Sequence, residues 1–186
     1  SYDQNRLRKC WDSPGLSLLL ELRLWGLKEQ CRWRAWQSAI LKIAQEVAWF
    51  PILIFFIHEV AARLFDLYGK WPPFDIPMHF LGGIAITYFI AGSIGILIRR
   101  RLIELWDPLV HAVLVLSLTC VAAVFWEFAE WTSDRLIHTS CQLSLEDTLA
   151  DMLIGLMGGG VYVVYSALRS RSWCPAAMLS ATTSDL

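Results

Sequence analysis

The sequence predicts an all-α membrane protein: a four-transmembrane-helix bundle preceded by an N-terminal amphipathic interfacial helix. Three observations carry that expectation. Hydrophobic residues make up 56% of the chain, above the roughly 45–50% of soluble domains. Four apolar stretches each reach about 20 residues, the length a helix needs to cross a hydrocarbon core of ~30 Å. Lysine and arginine also segregate along the chain in the way membrane topology requires.

Residues 1–46 form the first segment. Leu16, Leu20, Leu24, Leu27 and Cys31 fall at helical spacing, Ser17, Glu21 and Lys28 lie off that stripe, and Leu18, Leu19 and Leu22 widen the apolar face. With Trp25, Trp33, Trp36 and nearby basic residues this is the pattern of a helix lying in the membrane interface. A helix docking on a partner subunit has the same pattern, and amphipathicity alone does not separate lipid from protein. Glu21 and Arg23 break the first apolar run, so a cleavable signal peptide is not expected.

The transmembrane domain is expected over 47–168. Span one covers Val47–Asp66, span two Met78–Ile98, span three Leu109–Trp131 and span four Leu145–Leu168. Pro77 and Pro108 sit where a first helical turn tolerates a missing N–H. Ser144-Leu-Glu-Asp147 reads as a capping box opening span four. Residues 169–186 form a tail. Thirteen of the sixteen basic residues lie in 1–46, in the Arg99-Arg100-Arg101 hairpin or in the tail, leaving Arg63, Lys70 and Arg135 at the other side. The positive-inside rule then puts both termini and the hairpin in the cytoplasm, as expected of a multi-pass protein of the bacterial inner membrane. Trp106 and Trp173 would mark the inner interface, and Trp71, Trp126 and Trp131 the outer one.

A net charge of −1 gives no basic surface for nucleic acid. Cys10, Cys31, Cys120, Cys141 and Cys174 are scattered without zinc spacing or a CxxC, so neither a structural zinc nor a disulfide framework is expected. No Ser-His-Asp order, P-loop or dinucleotide fingerprint is present.

In that topology His58, Glu59, Asp75, His79, Glu127, Glu130, Asp147 and Asp151 gather at the outer end of the spans. A charge near hydrocarbon costs at least about 2.5 kcal/mol, so such residues are candidate functional groups. Asp75/His79 and Asp147/Asp151 are i,i+4 pairs and Glu127/Glu130 an i,i+3 pair, so each pair presents both groups on one helix face. Small residues continue those faces: Gly83, Thr87, Ala91 and Gly95 after His79, and Gly155 and Gly159 after Asp151. That spacing lets helices approach closely and points the polar heads into the bundle.

Plainer readings stand beside this one. Asp75 and Asp147 serve equally as helix-capping acids. Glu59 has Arg63 one turn on as a local ion-pair partner. A lone His58 is more often a hydrogen-bonded core residue than a ligand. Glu127 and Glu130 fit no plain role, because they are expected in the last turn of span three, where the helix dipole disfavours anions. Asp151 is one turn too deep to cap. Buried carboxylates need protonation, a cationic partner or a metal. The candidate metal ligands are therefore His79, Glu127, Glu130, Asp151, Asp147, Asp75 and His58, for a divalent ion such as Mg²⁺, Mn²⁺, Ca²⁺, Fe²⁺ or Zn²⁺. His111, near the inner end of span three, is read as structural, with axial ligation of a haem or pigment a remote alternative.

The strings Asp75-Ile-Pro-Met-His79-Phe-Leu-Gly-Gly83, Trp126-Glu127-Phe-Ala-Glu130-Trp131 and Asp147-Thr-Leu-Ala-Asp151-Met152 with Gly155 resemble the YjdF-like family of small bacterial inner-membrane proteins. More distantly they are similar to VanZ-like proteins. The resemblance covers about residues 45–168 and implies a multi-span membrane protein whose acids form one site; it implies no settled activity. The tryptophan-rich 1–46 segment departs from that family and points to a partner. Two functions follow as expectations: an accessory subunit of a larger respiratory or photosynthetic membrane complex, or a membrane-embedded metal-dependent enzyme or binding protein acting on a lipid headgroup.

Overall fold

The computed structural model describes residues 14–104, 107–137, 139, 142 and 144–171, with residues 14–24, 26–28, 170 and 171 described by backbone alone. Every regular element among them is helical: α1 (Pro14–Glu46), α2 (Trp49–Arg63), α3 (Leu67–Lys70), a 3₁₀ turn (Pro72–Phe74), α4 (Asp75–Arg99), α5 (Pro108–Ile137) and α6 (Leu145–Arg171). Three segments, Pro72–Arg99, Pro108–Ile137 and Leu145–Arg169, are long and apolar enough to cross a membrane. A fourth is added if Glu29–Glu46 and Trp49–Arg63 count as one bent span.

The chain divides into compact units at Lys42/Ile43. In the first, the expected helix Leu16–Cys31 is part of the longer, unbroken α1. The side chains of its apolar stripe up to Leu27 lie outside the described residues. Elsewhere on α1, Trp25 and Trp33 are exposed, and Arg32 pairs with Glu29 at 2.6 Å.

The second unit begins with a break that was not expected. The sequence predicts a span of twenty residues, Val47–Asp66, whereas α2 has 15 and rises only about 22 Å. Pro51 accounts for the late start, since it has no N–H for the Val47 carbonyl and its ring crowds that carbonyl. The amides of Val47 and Ala48 both turn to the Ile43 carbonyl, at 3.0 and 3.2 Å. At the other end Asp66 takes a left-handed φ of 51° and stops the helix.

α4 begins at Asp75, three residues before the expected start, and ends in a left-handed cap. The Leu102 amide reaches the Leu97 carbonyl (3.0 Å) and the Arg101 amide the Ile98 carbonyl (2.8 Å), with Arg101 at φ 55° where glycine is usual. α5 starts under a cap the sequence reading missed: Asp107 Oδ1 accepts from the Leu109 and Val110 amides at 2.7 and 3.0 Å. α6 opens as expected, with the Asp147 amide donating to Ser144 Oγ at 3.1 Å.

α4 is the central element, packed on α2, α5 and α6, with α6 its most extensive neighbour. Glycine sets that contact. A Cβ on Gly83 would overlap the Gly155 backbone, and one on Gly158 the Phe80 backbone. Farther along the seam Thr87 and Thr119 share a buried hydrogen bond of 3.0 Å. The expected small-residue stripe thus holds at Gly83, Thr87, Gly155 and Gly159. It does not extend to Gly95, where among the described residues a Cβ would meet Arg99 of the same helix and no neighbouring helix within 4 Å. Large apolar side chains such as Phe125, Leu109 and Val161 stand exposed on the outer faces, as on helices bathed in lipid.

Candidate functional site

The seam places the polar groups. His79 is one turn before Gly83, and Asp151 one turn before Gly155. Because those two glycines touch backbone to backbone, His79 and Asp151 face each other a turn farther along. His79 Nε2 lies 3.2 Å from Asp75 Oδ1 on its own helix and 3.9 Å from Asp151 Oδ2 across the seam. α5 brings Glu127 and Glu130 to the same imidazole. Two groups result, Asp75/His79/Asp151 and His79/Glu127/Glu130, and within each the ligating atoms lie no more than 4.8 Å apart. Two atoms bound to one ion at the long end of the ~2.0–2.6 Å range can be that far apart, so the donor spacing of each group lies within reach of a single cation.

Burial makes the grouping costly. Glu127 and Asp151 are each only 6% exposed, and the His79 side chain 11%. Glu127 has weak local support, with Gln142 Nε2 donating to its carbonyl at 3.2 Å and to Oε2 at 3.4 Å. Glu130 accepts from Trp126 Nε1 at 2.7 Å. That last pair was readable in the sequence as an i,i+4 pair on one face. Gln142 was not, because it depends on the loop between α5 and α6, where Asp134 Oδ2 holds the Gln142 amide at 2.9 Å.

The plainer readings divide. Glu59 does pair with Arg63, at 2.5 Å. Asp75 makes no side-chain cap; it is the first residue of α4 and turns to His79. His58 lies outside both groups. Its Nδ1 shares a 2.6 Å hydrogen bond with the Tyr68 hydroxyl, and its ring meets Trp126 edge-on at 5.4 Å. Asp147 also lies outside them, in the first turn of α6. Contrary to expectation, Glu127 and Glu130 are not at a helix C-terminus, because α5 continues for about two turns past Glu130 to Ile137. The case for them rests on burial and convergence instead. His111, half-buried in the first turn of α5, is about 24 Å along the helix from Glu127 and joins neither group.

A cavity of about 380 Å³ runs inward from this cluster, with His58, His79, Glu127 and Asp151 at its polar end. Carboxylates with one imidazole are hard and borderline donors suited to Mg²⁺, Mn²⁺, Ca²⁺, Fe²⁺ or Zn²⁺. Three protein donors leave coordination positions open to water or a ligand's oxygens.

The family model described as "Predicted membrane protein (DUF2238)" matches residues 34–172. An "Uncharacterized protein" of Thermotoga maritima is 34% identical over 105 residues, 55% of this chain and 52% of that protein, so the match spans about half the relative's length. No solved structure matches. These matches agree with the YjdF-like resemblance of the three motifs and bear on the VanZ-like one in neither direction.

Proposed function

We propose, for a chain that belongs to the predicted membrane protein family DUF2238, that it binds a divalent cation at the His79 cluster and presents it to the headgroup of a membrane lipid. The observation that supports this most is the meeting of four carboxylates, from Asp75, Glu127, Glu130 and Asp151, on one imidazole. Among the described residues no lysine or arginine forms an ion pair with these carboxylates, whose basic partner is His79, so a cation or protons must balance the charge. His79 supplies the nitrogen donor, Glu127 and Asp151 the deepest oxygens, and Asp75 and Glu130 the flanking ones. Asp147 and His58 stand at the rim. The cation polarises or clamps a headgroup oxygen. In this reading 47–168 is the membrane domain of a bacterial inner-membrane protein, 1–46 its interfacial segment and 169–186 its tail. Both termini are cytoplasmic by the distribution of basic residues.

Metal analysis of protein purified in mild detergent tests the reading. The wild type should carry a divalent ion, and Glu127→Gln and Asp151→Asn should each weaken its binding at least about tenfold, which is ~1.4 kcal/mol, with helicity unchanged. A wild type that takes up no Mg²⁺, Mn²⁺, Ca²⁺, Fe²⁺ or Zn²⁺ after reconstitution would leave a protonated, hydrogen-bonded cluster and sink the proposal. The accessory-subunit reading draws support from exposed Trp25, Trp33, Ile40 and Leu41 on α1. Co-migration with a stoichiometric large complex in the same preparation would favour it.

A further inference from the structure

The cavity beside the cluster has two unlike ends. Away from the polar end its walls are apolar: Pro51 and Ile54 of α2, Met78 and Ile86 of α4, Ala122 and Ala123 of α5. From His79 to Ile86 it reaches about two turns, or ~10 Å, inward. Thr119, at the inner limit, spends its hydroxyl on Thr87 and the Val115 carbonyl. At the polar end Asp151 is more than nine-tenths buried and lines the cavity. No described residue hydrogen-bonds its carboxylate, and His79 is beyond hydrogen-bonding distance at 3.9 Å.

The cavity also has a side door. α2 and α5 both lean on α4 but scarcely pack on each other. Ile52 and Phe55 line the cavity while remaining 63% and 50% exposed, so they form its lip. Toward the polar end Trp126 bridges the gap, meeting Phe55 at 6.1 Å and His58 at 5.4 Å.

We infer that this cavity takes one hydrocarbon chain of a membrane amphiphile, entering between α2 and α5, whose phosphate headgroup meets the cation at the His79 cluster. The inference rests on the cation reading above and adds the ligand. A volume of 380 Å³ holds roughly a dozen heavy atoms at the ~30 Å³ of a water-sized group, enough for one chain and not two. It falls within the size of ordinary ligand pockets. No lysine or arginine is among the described residues that line the cavity, so a phosphate entering this acidic end needs a counter-charge there, which a divalent ion supplies through hard oxygen ligation. The apolar walls offer nothing to a free phosphate and remove a chain from competition with nothing but lipid, so the headgroup contact supplies the selectivity.

A single-chain alkyl phosphate carrying a diazirine on its chain tests this, with the full-length protein in lipid nanodiscs and Mn²⁺ present. Crosslinks should concentrate on Ile52, Phe55, Ala122 and Ala123 rather than on outward Phe125 and Val161, and should fall at least tenfold with chelator. Gly82 lines the cavity and a Cβ there meets nothing within 4 Å; Gly160 is equally open but lies outside the cavity. Gly82→Leu should therefore cut cavity crosslinking at least tenfold with bound metal unchanged, while Gly160→Leu alters neither. Labelling spread evenly over lipid-facing residues, or full labelling in Gly82→Leu, overturns the inference. Equal labelling by the matching alkyl alcohol overturns the phosphate assignment. Displacement of the probe by an equal concentration of inorganic phosphate shows a site for the free anion and overturns the role of the chain. Metal-loaded protein without cavity labelling refutes this inference alone. A metal-free wild type that still takes the probe into the cavity refutes the cation reading and the phosphate assignment with it.

Discussion

α4 meets its neighbours in two opposite ways. Against α6 it is fused by glycine: the backbones touch at Gly83/Gly155 and Gly158/Phe80, leaving no side chain between them that can yield. On the other flank α2 and α5 lean on α4 without closing on each other, and the space between them is the cavity. One flank fixes the distance between His79 and Asp151, and the other leaves them reachable. Close packing between membrane helices comes from small residues rather than from a hydrophobic drive, so a gap where such residues find no partner helix costs little. Ala122 and Ala123 face that gap.

The sharpest way to break the contrast is Gly83→Leu. Its side chain would have to displace the Gly155 backbone, so a loss of about 3 kcal/mol, the upper end of overpacking costs, is expected. Thermal unfolding in detergent should show it, together with loss of metal binding, because the His79–Asp151 spacing is set there. Gly82→Leu, one residue away but facing the gap, should leave the unfolding temperature unchanged or higher. If the two variants behave alike, the flanks do not differ as described. A middle-sized effect is expected from Thr119→Val, which removes the buried Thr87–Thr119 hydrogen bond. Such bonds in membrane proteins average ~0.6 kcal/mol, and the change should leave metal affinity unaltered. Arg63→Met tests the smallest effect. The Arg63–Glu59 pair has side chains 75% and 30% exposed, so stability should stay within ~0.5 kcal/mol. A larger loss would mean Glu59 belongs to the polar cluster after all.

Much of the site was legible because helical phase is periodic and membrane depth can be counted. Asp75/His79 and Glu127/Glu130 needed only the i,i+4 and i,i+3 rules to share faces, and basic-residue counting brought those faces to one end. The i,i+4 partner of Glu130, Trp126, was equally readable. Chain stops were harder. Thr132, Ser133 and Asp134 look like the end of α5, yet no glycine or proline follows them, and Asp134 proves to hold the loop by accepting from Thr139 and Gln142. Pro51 sits in an apolar run that hydropathy averages into a span, and only the hydrogen-bond ledger of Val47 shows that it shortens α2. The Tyr68 partner of His58 comes from the four-residue α3 and the Gln142 partner of Glu127 from a connecting loop, segments too short for any periodicity to announce.

The length of α5 has a consequence for how the centre is reached. Its 30 residues rise about 45 Å, well beyond a ~30 Å hydrocarbon layer. Glu127 lies about 30 Å from the Asp107 cap. With that cap at one boundary of the hydrocarbon, the glutamates come level with the opposite boundary, and the segment 131–137 rises past them as a palisade carrying Trp131 and Arg135, whose guanidinium lies 5.8 Å from the Trp131 ring. The carboxylates then sit on a ledge recessed behind that palisade. On that placement a molecule drifting in the plane of the leaflet meets the ledge at its own height.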